Sequence, residues 1–294
     1  MRLLVTGANG QVGHALARQG GAAVVGLDRA ALDITDREAV RRAVQQHAPD
    51  LVVNAAAYTA VDRAEAEEET AFAVNCDGPA HLADACAEAG LPLIHLSTDY
   101  VFDGTKGAPY VEEDDTDPLG VYGLSKEAGE EAVRERLGRH VILRTSWVFG
   151  DHGQNFVRTI LRLGRERDVL RVVADQRGNP TAAADIARAV LEIAERIVGG
   201  EEASWGTFHF AGQPATTWHG FAEAILAEAR HQGPVRAERV EPIPTSAYPT
   251  LAPRPVDSRL DGSKLATVWG IDAPPWRPAL RAVVSSFLTR SSTP

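Results

Sequence analysis

Cysteine is scarce: Cys76 and Cys86, ten positions apart, are the only two in 294 residues, too few for a disulfide framework or a zinc site. Both read as reduced, packed thiols. Positive charge is also short. Lys+Arg number 30 against 40 Asp+Glu, a formal net charge of −10, so there is no uniform basic field to hold a nucleic-acid backbone or an anionic membrane surface. An anionic small ligand must be met by local donors instead. No apolar run reaches the roughly 18 residues of a spanning helix, and Met1-Arg2-Leu3-Leu4-Val5 runs at once into Thr6-Gly7, unlike a secretory leader. The expectation is a cytoplasmic protein with neither nucleic acid nor membrane as partner. What is present is ordinary: 44% hydrophobic and 24% charged residues exclude disorder and fibrous repeats. The length suits one large α/β domain or two domains sharing a cleft.

The first half alternates short apolar runs with helical patterns, the mark of βαβ units and a parallel sheet covered on both faces. Strands are predicted at residues 2–6, 23–27, 51–54, 93–97 and 141–144, and helices at 11–19, 37–46, 66–75 followed by 79–89, and 124–136. Right-handed crossovers make this a doubly wound sheet with its ligand crevice at the carboxyl ends of the strands. The second half is less regular. Helices are expected at 156–164, 184–197 and 218–231, with strands near 170–173 and 207–210; from Pro242 to Pro255 five prolines indicate an extended loop rather than a helix or central strand. Residues 65–69 hold four acids among five, as in the solvated first turn of a helix.

Gly7-Ala8-Asn9-Gly10-Gln11-Val12-Gly13 follows the first strand and opens the first helix. Such a turn lets backbone approach a pyrophosphate and offers the free N–H groups of a helix N-terminus. Its spacing is G-x-x-G-x-x-G rather than G-x-G-x-x-G, and taken alone it reads equally as a tight turn. Asp28 lies 21 residues after Gly7, where an acid would meet the adenine ribose. Arg29 beside it could tolerate a 2′-phosphate, so both NADH and NADPH stay open. Asp33-Ile34 is placed to flank an adenine ring. Ala55 and Ala56, after Asn54, either let backbone pass close to a cofactor or simply pack a helix on the sheet.

Tyr122-Gly123-Leu124-Ser125-Lys126 puts a phenol and an ammonium one helical turn apart on one face. A free tyrosine, with a pKa near ~10, is a poor acid–base group at neutral pH, and a neighbouring cation draws it toward the working range. Thr98, closing the fourth strand, can donate to a carbonyl oxygen. Asp99 reads equally as a turn acid and Tyr100 as core.

The glycine turn, Thr98 and the Tyr122/Lys126 pair together resemble the extended short-chain dehydrogenase/reductases that act on nucleotide sugars. The likeness extends through Asn54-Ala55-Ala56-Ala57-Tyr58-Thr59-Ala60-Val61-Asp62, Ser97-Thr98-Asp99-Tyr100-Val101-Phe102, Arg144-Thr145-Ser146-Trp147-Val148-Phe149 and Asp175-Gln176-Arg177-Gly178-Asn179-Pro180-Thr181. It implies a doubly wound parallel Rossmann sheet over residues 1–150, with returns from about 171–211, and a smaller mixed α/β substrate domain in the remaining segments of 151–294. It further implies reduction of the C4 ketone of dTDP-4-dehydro-L-rhamnose to dTDP-L-rhamnose by hydride from NADPH or NADH. Thr98, Tyr122 and Lys126 would be catalytic: Tyr122 as proton donor, Lys126 on the nicotinamide ribose, Thr98 orienting the carbonyl. Gly7, Gly10, Gln11, Val12, Gly13, Asp28, Arg29, Asp33, Ile34, Ala55, Ala56 and Tyr58 would line the cofactor. Thr98, Asp99, Tyr100, Trp147, Gln176, Asn179 and Thr181 would face the sugar, although Trp147 has a core reading and residues 176–181 a surface-turn reading. Arg254 and Arg259, flanking the proline-rich stretch, suit a diphosphate because a guanidinium fork matches phosphate oxygens.

Nucleotide-sugar 4,6-dehydratases place Asp-Glu after the strand-four threonine, whereas this chain has Asp99-Tyr100. That leaves a reductase, with another nucleotide-sugar 4-ketoreductase, a 4-epimerase, or a regulatory subunit resembling the methionine adenosyltransferase beta subunit as rivals. Some members of the family are metal-bridged dimers, using a glutamate two positions after the last glycine of the turn. Here that residue is Ala15, so no metal is expected and the chain should be a monomer or weak homodimer.

Overall fold

The computed structural model describes residues 1–201 and 204–291. The apolar runs form strands β1 (Leu3–Thr6), β2 (Val24–Leu27), β3 (Leu51–Asn54), β4 (Leu93–Thr98) and β5 (His140–Thr145). With β7 (Gly206–His209) they make a six-stranded, wholly parallel sheet in the order β7-β5-β4-β3-β1-β2. β1 and β3 are buried along their whole length, which is why they read as unbroken apolar runs rather than alternation. The strand order reverses between β1 and β3, so the crevice opens where Thr6 and Asn54 end those strands. The Thr6 hydroxyl donates across it to Asn54 Oδ1 at 2.7 Å.

Period-2 alternation sorts the two faces. Leu3, Val5, Leu51 and Val53 join one core with Leu16 of α1 (Gln11–Gly20), Ile186 and Val190 of α6 (Ala183–Val198), and Trp269 of α8 (Ser263–Trp269). Leu4 and Val52 join the other with Val40 and Val44 of α2 (Arg37–His47), Leu82 and Cys86 of α3 (Gly78–Ala89), and Val133 of α4 (Val121–Arg136). Each large aliphatic side chain buried this way contributes about 1.5–3 kcal/mol. Cys76 and Cys86 are both unpaired.

Two local departures from the expected elements matter later. The helix before Pro79 does not stop there: Glu68–Phe72 passes through a π-turn, Ala73–Asp77, straight into α3. Pro79 has no N–H to give the Asn75 carbonyl four residues back, and its ring would collide with it; widening one turn relieves both. α4 begins at Val121, three residues before expectation, because Glu65 Oε1 accepts the Val121 N–H at 3.0 Å over the side-chain-free Gly120. One member of the acidic run is thus a cap for another helix.

A second core gathers Phe149, Ile160, Leu170, Phe221, Ile225, Trp276 and Leu280 from α5 (Phe156–Glu166), α7 (Trp218–Gln232), α9 (Trp276–Ser291) and neighbouring strands. The strand expected near 170–173, β6 (Val169–Val173), pairs in parallel with β8 (Arg239–Ile243) and lies outside the central sheet. Pro242, expected in a loop, sits in that two-stranded edge opposite Val172, where a missing donor is tolerated. Helices α8 and α9 were not expected; α9 is masked in sequence by Pro278, which falls in its first turn, where the N–H has no helical partner in any case.

Candidate functional site

The glycine turn sits at the sheet's switch point. Gly7 has φ +70°, and a Cβ there would lie 2.5 Å from Ala56 N and 2.6 Å from Ala55 C; a Cβ on Gly13 would lie 2.2 Å from Gly7 O. The backbone of Ala55–Ala56 therefore packs directly on the turn. Gly10 is the N-cap of α1 with no capping side chain, which leaves the first N–H groups of the helix, Gln11 and Val12, for an anion. Beside it is a 220 Å³ cavity lined by Gly7, Gly10, Arg29, Asp33, Ile34, Ala55, Ala56 and Tyr58. These features fit a dinucleotide. Asp28 is otherwise engaged: its oxygens accept from Asn9 Nδ2 at 2.7 Å and Ala31 N at 2.9 Å. Asp33 accepts from the Thr35 N–H and hydroxyl, which hold its carboxyl below the usual range, and lies 3.7 Å from Arg29. The Gln11 side chain reaches the N-cap of α5, accepting from Asn155 Nδ2 at 2.9 Å; Val12 packs into the first core.

Thr98, Tyr122 and Lys126 converge at the carboxyl end of β4. The Thr98 hydroxyl lies beside the Tyr122 phenol, donates to Asp99 Oδ1 at 3.1 Å and accepts the Tyr100 N–H at 3.2 Å. The Tyr100 and Tyr122 rings meet edge to face, 5.4 Å apart. Lys126, 2% exposed, donates from Nζ to the Leu96 carbonyl at 2.7 Å and lies 3.4 Å from His95 Nε2. Burial raises the Tyr122 phenol to about 12, opposed only weakly by the neighbouring Thr98 hydroxyl. This corrects the expectation that the lysine draws it down: Nζ is turned to β4, and desolvation dominates. A phenol that keeps its proton suits a donor. Burial lowers Lys126 to about 8, opposed by Glu130, and raises Asp99 to about 7.

A 740 Å³ cleft extends from Tyr100 to the second core, lined by Phe156, Arg171, Gln176, Trp218, Tyr248 and Arg254 among others. Arg254 closes on Asp62 at 2.9 Å and lies 5.9 Å from the Tyr100 ring centre. The remaining substrate candidates divide. Trp147 does not line the cleft: with φ +46° it is stacked 3.6 Å from Trp218 and backed by Gly178, whose Cβ would lie 2.3 Å from it. Asn179 and Thr181 are each 1% exposed and tie loops together, Asn179 donating to Gly212 O and accepting from Leu260 N, Thr181 accepting from Gly212 N. Arg259 grips Asp257 with Nε at 2.7 Å and Nη2 at 2.6 Å and does not line this cleft, because a carboxylate two residues away takes its fork.

Sequence reasoning missed several groups. Asn75, on the π-turn, accepts from Tyr58 N and donates to Tyr58 O and Ser125 Oγ, clamping the loop after β3 onto α4. Trp218, Phe156 and Arg171 line the cleft from elements distant in sequence. His95 carried one signal: it is a polar residue in the middle of an apolar strand, which must find a partner when buried.

A doubly wound parallel sheet with a glycine turn at its switch point and a threonine, tyrosine and lysine at its carboxyl edge defines the class of extended short-chain dehydrogenase/reductases. Residues 1–289 match the family model described as the RmlD substrate binding domain, and the chain belongs to that family. It is similar to a dTDP-4-dehydrorhamnose reductase of Aggregatibacter actinomycetemcomitans, 45% identical over 96% of this chain and 98% of that one. Among solved structures it resembles a dTDP-4-dehydrorhamnose reductase of Clostridium acetobutylicum, 35% identical with TM-score 0.91 over 98% of this chain and 100% of that one. It also resembles that of Bacillus anthracis in complex with NADP, 34% identical with TM-score 0.88 over 98% and 99%.

Proposed function

We propose that the protein reduces the C4 ketone of dTDP-4-dehydro-L-rhamnose to dTDP-L-rhamnose. NADPH or NADH would supply the hydride. The Gln11 and Val12 N–H groups would take its pyrophosphate, Arg29, Asp33, Ile34 and Tyr58 its adenosine end, and Lys126 the nicotinamide ribose. Arg29 lines the cavity while Asp28 is engaged by Asn9, which favours tolerance of a 2′-phosphate. Thr98 orients the sugar carbonyl, and Tyr122 gives its phenolic proton to the oxygen that becomes the C4 hydroxyl. Residues 1–150 with α6 and β7 form the dinucleotide-binding part in this reading. The other segments hold the nucleotide sugar, with Gln176 and Arg254 in the cleft; residues 202–203 and 292–294 of that division lie outside the described residues. Cytoplasmic localisation and a monomer or weak homodimer belong to the same proposal.

The observation that supports it most is the placement of the Tyr122 phenol beside the Thr98 hydroxyl, one turn of α4 from the buried Lys126. An oxidation assay with NADH and NADPH across dTDP- and UDP-4-keto sugars tests it. Stoichiometric oxidation with the dTDP sugar is expected, and Tyr122→Phe should lower turnover by ~100-fold or more with cofactor affinity little changed. Turnover without net oxidation would make it an epimerase. Near-normal activity in Tyr122→Phe would remove the mechanism.

A further inference from the structure

The chain has three lysines, Lys106, Lys126 and Lys264. Lys106 pairs with Asp114 and Lys264 with Glu113. Lys126 has no carboxylate within ion-pair distance among the described residues; its Nζ meets the Leu96 carbonyl and His95 Nε2. The hydrogen bonds beneath it have a direction that can be worked out. Asn54 Oδ1 accepts the Ala56 backbone N–H at 3.1 Å and the Thr6 hydroxyl at 2.7 Å. A backbone N–H can only donate, so the amide cannot be reversed, and Asn54 Nδ2 is the atom 3.0 Å from His95 Nδ1. Nδ2 can only donate as well, so Nδ1 is bare and the neutral ring carries its proton on Nε2. That N–H faces Lys126 Nζ at 3.4 Å. Against an ammonium two donors oppose each other. Against an amine, the lone pair of Nζ accepts.

We propose that His95, locked as its Nε2–H tautomer by Asn54, is a positioning residue that lowers the proton affinity of Lys126. The chain from the Ala56 N–H through Asn54 and His95 ties that lysine to the backbone packed on the glycine turn. The inference rests on the reading of Lys126 as part of the reductase site. Burial acts in the same direction on both groups, keeping His95 neutral and lowering Lys126. The other ionisable groups around the pair are few. On α4, Tyr122 stays a neutral phenol, and Glu130, which favours the ammonium, is held by Arg144 at 2.7 Å and Arg134 at 3.0 Å. On β5, burial lowers His140.

Lysine and histidine NMR on the full chain tests this without turnover, so it can fail while the oxidation assay succeeds, and the reverse. With [ε-13C]lysine three resonances are followed, Lys106 and Lys264 serving as internal controls. Lys126 should titrate well below both, and His95→Leu should raise its midpoint by about one pH unit, tenfold in proton affinity, with the controls unmoved. An unchanged or lower midpoint in His95→Leu overturns the proposal. Where that variant fails to fold, 15N-histidine spectra of the native chain decide: a proton on Nε2 of His95 supports the proposal, and one on Nδ1 or on both nitrogens overturns it. In the active enzyme, His95→Leu should move the pH profile of turnover by the same interval, a displacement that loss of packing alone would not produce.

Discussion

Asp99 is 2% exposed at the end of β4, and burial lifts its carboxyl to about 7 despite the hydrogen bond from Thr98. In the unfolded chain an aspartate titrates near ~3.9. The folded state therefore holds this proton over an interval where the unfolded state has released it. Its contribution to stability is greatest at low pH and is lost as pH rises toward and through about 7. Asp99→Asn keeps an oxygen for the Thr98 hydroxyl and cannot ionise. At pH 8 the variant should melt about 2 °C or more above the native chain, with the gap closing toward pH 5; carboxylates held low by partners, such as Asp33, act alike in both proteins and cancel. A variant that melts lower at pH 8 would refute the assignment. At this scale the sequence shows which residues meet but not the sign of their effects. The i, i+4 spacing places Tyr122 and Lys126 on one face, while the direction of Nζ depends on the Leu96 carbonyl and His95, fixed only when β4 is folded beneath α4.

Two glycines set how closely α4, which carries both residues, can dock. A Cβ on Gly129 would fall 1.9 Å from the Asn75 carbonyl oxygen, and one on Gly123 2.2 Å from Tyr100 O. Asn75 O lies on the π-turn forced by Pro79, so a proline in one helix sets the seat of the next. Gly129→Ala should push α4 off this seat, costing about 1–3 kcal/mol in stability and lowering turnover through displaced Tyr122 and Lys126. Gly138→Ala, whose Cβ meets nothing within 4 Å, is the control and should leave turnover unchanged. Urea unfolding with kinetics on both variants checks it; equal behaviour would show that the contact does not set the helix position. The existence of α4 was legible from its pattern, but its first turn was not: the cap comes from Glu65, 56 residues earlier. The site shows the same division. Residues contiguous with a strand end, Thr98 and the glycine turn, are readable, whereas Trp218 and Arg171 reach the cleft only through packing of the second core.

Across the whole molecule, alternation of apolar runs and helices was enough to give the doubly wound sheet, since strands buried on both faces cannot be written any other way. It did not place β6, whose run looks the same but pairs with β8 beside the cleft. The same large-scale packing bears on assembly. Ala15 is 5% exposed on α1, inside the core shared with Ile186 and Val190 of α6. Its methyl packs with that core, and an alanine has no carboxylate to offer a metal. A carboxylate bridge through position 15 is thus closed to this chain, whatever contacts its surface makes. Sedimentation velocity with and without EDTA should give the same mass. A species that becomes smaller on chelation would mean that a metal joins copies through some other group, and the proposal of a monomer or weak homodimer would fall with it.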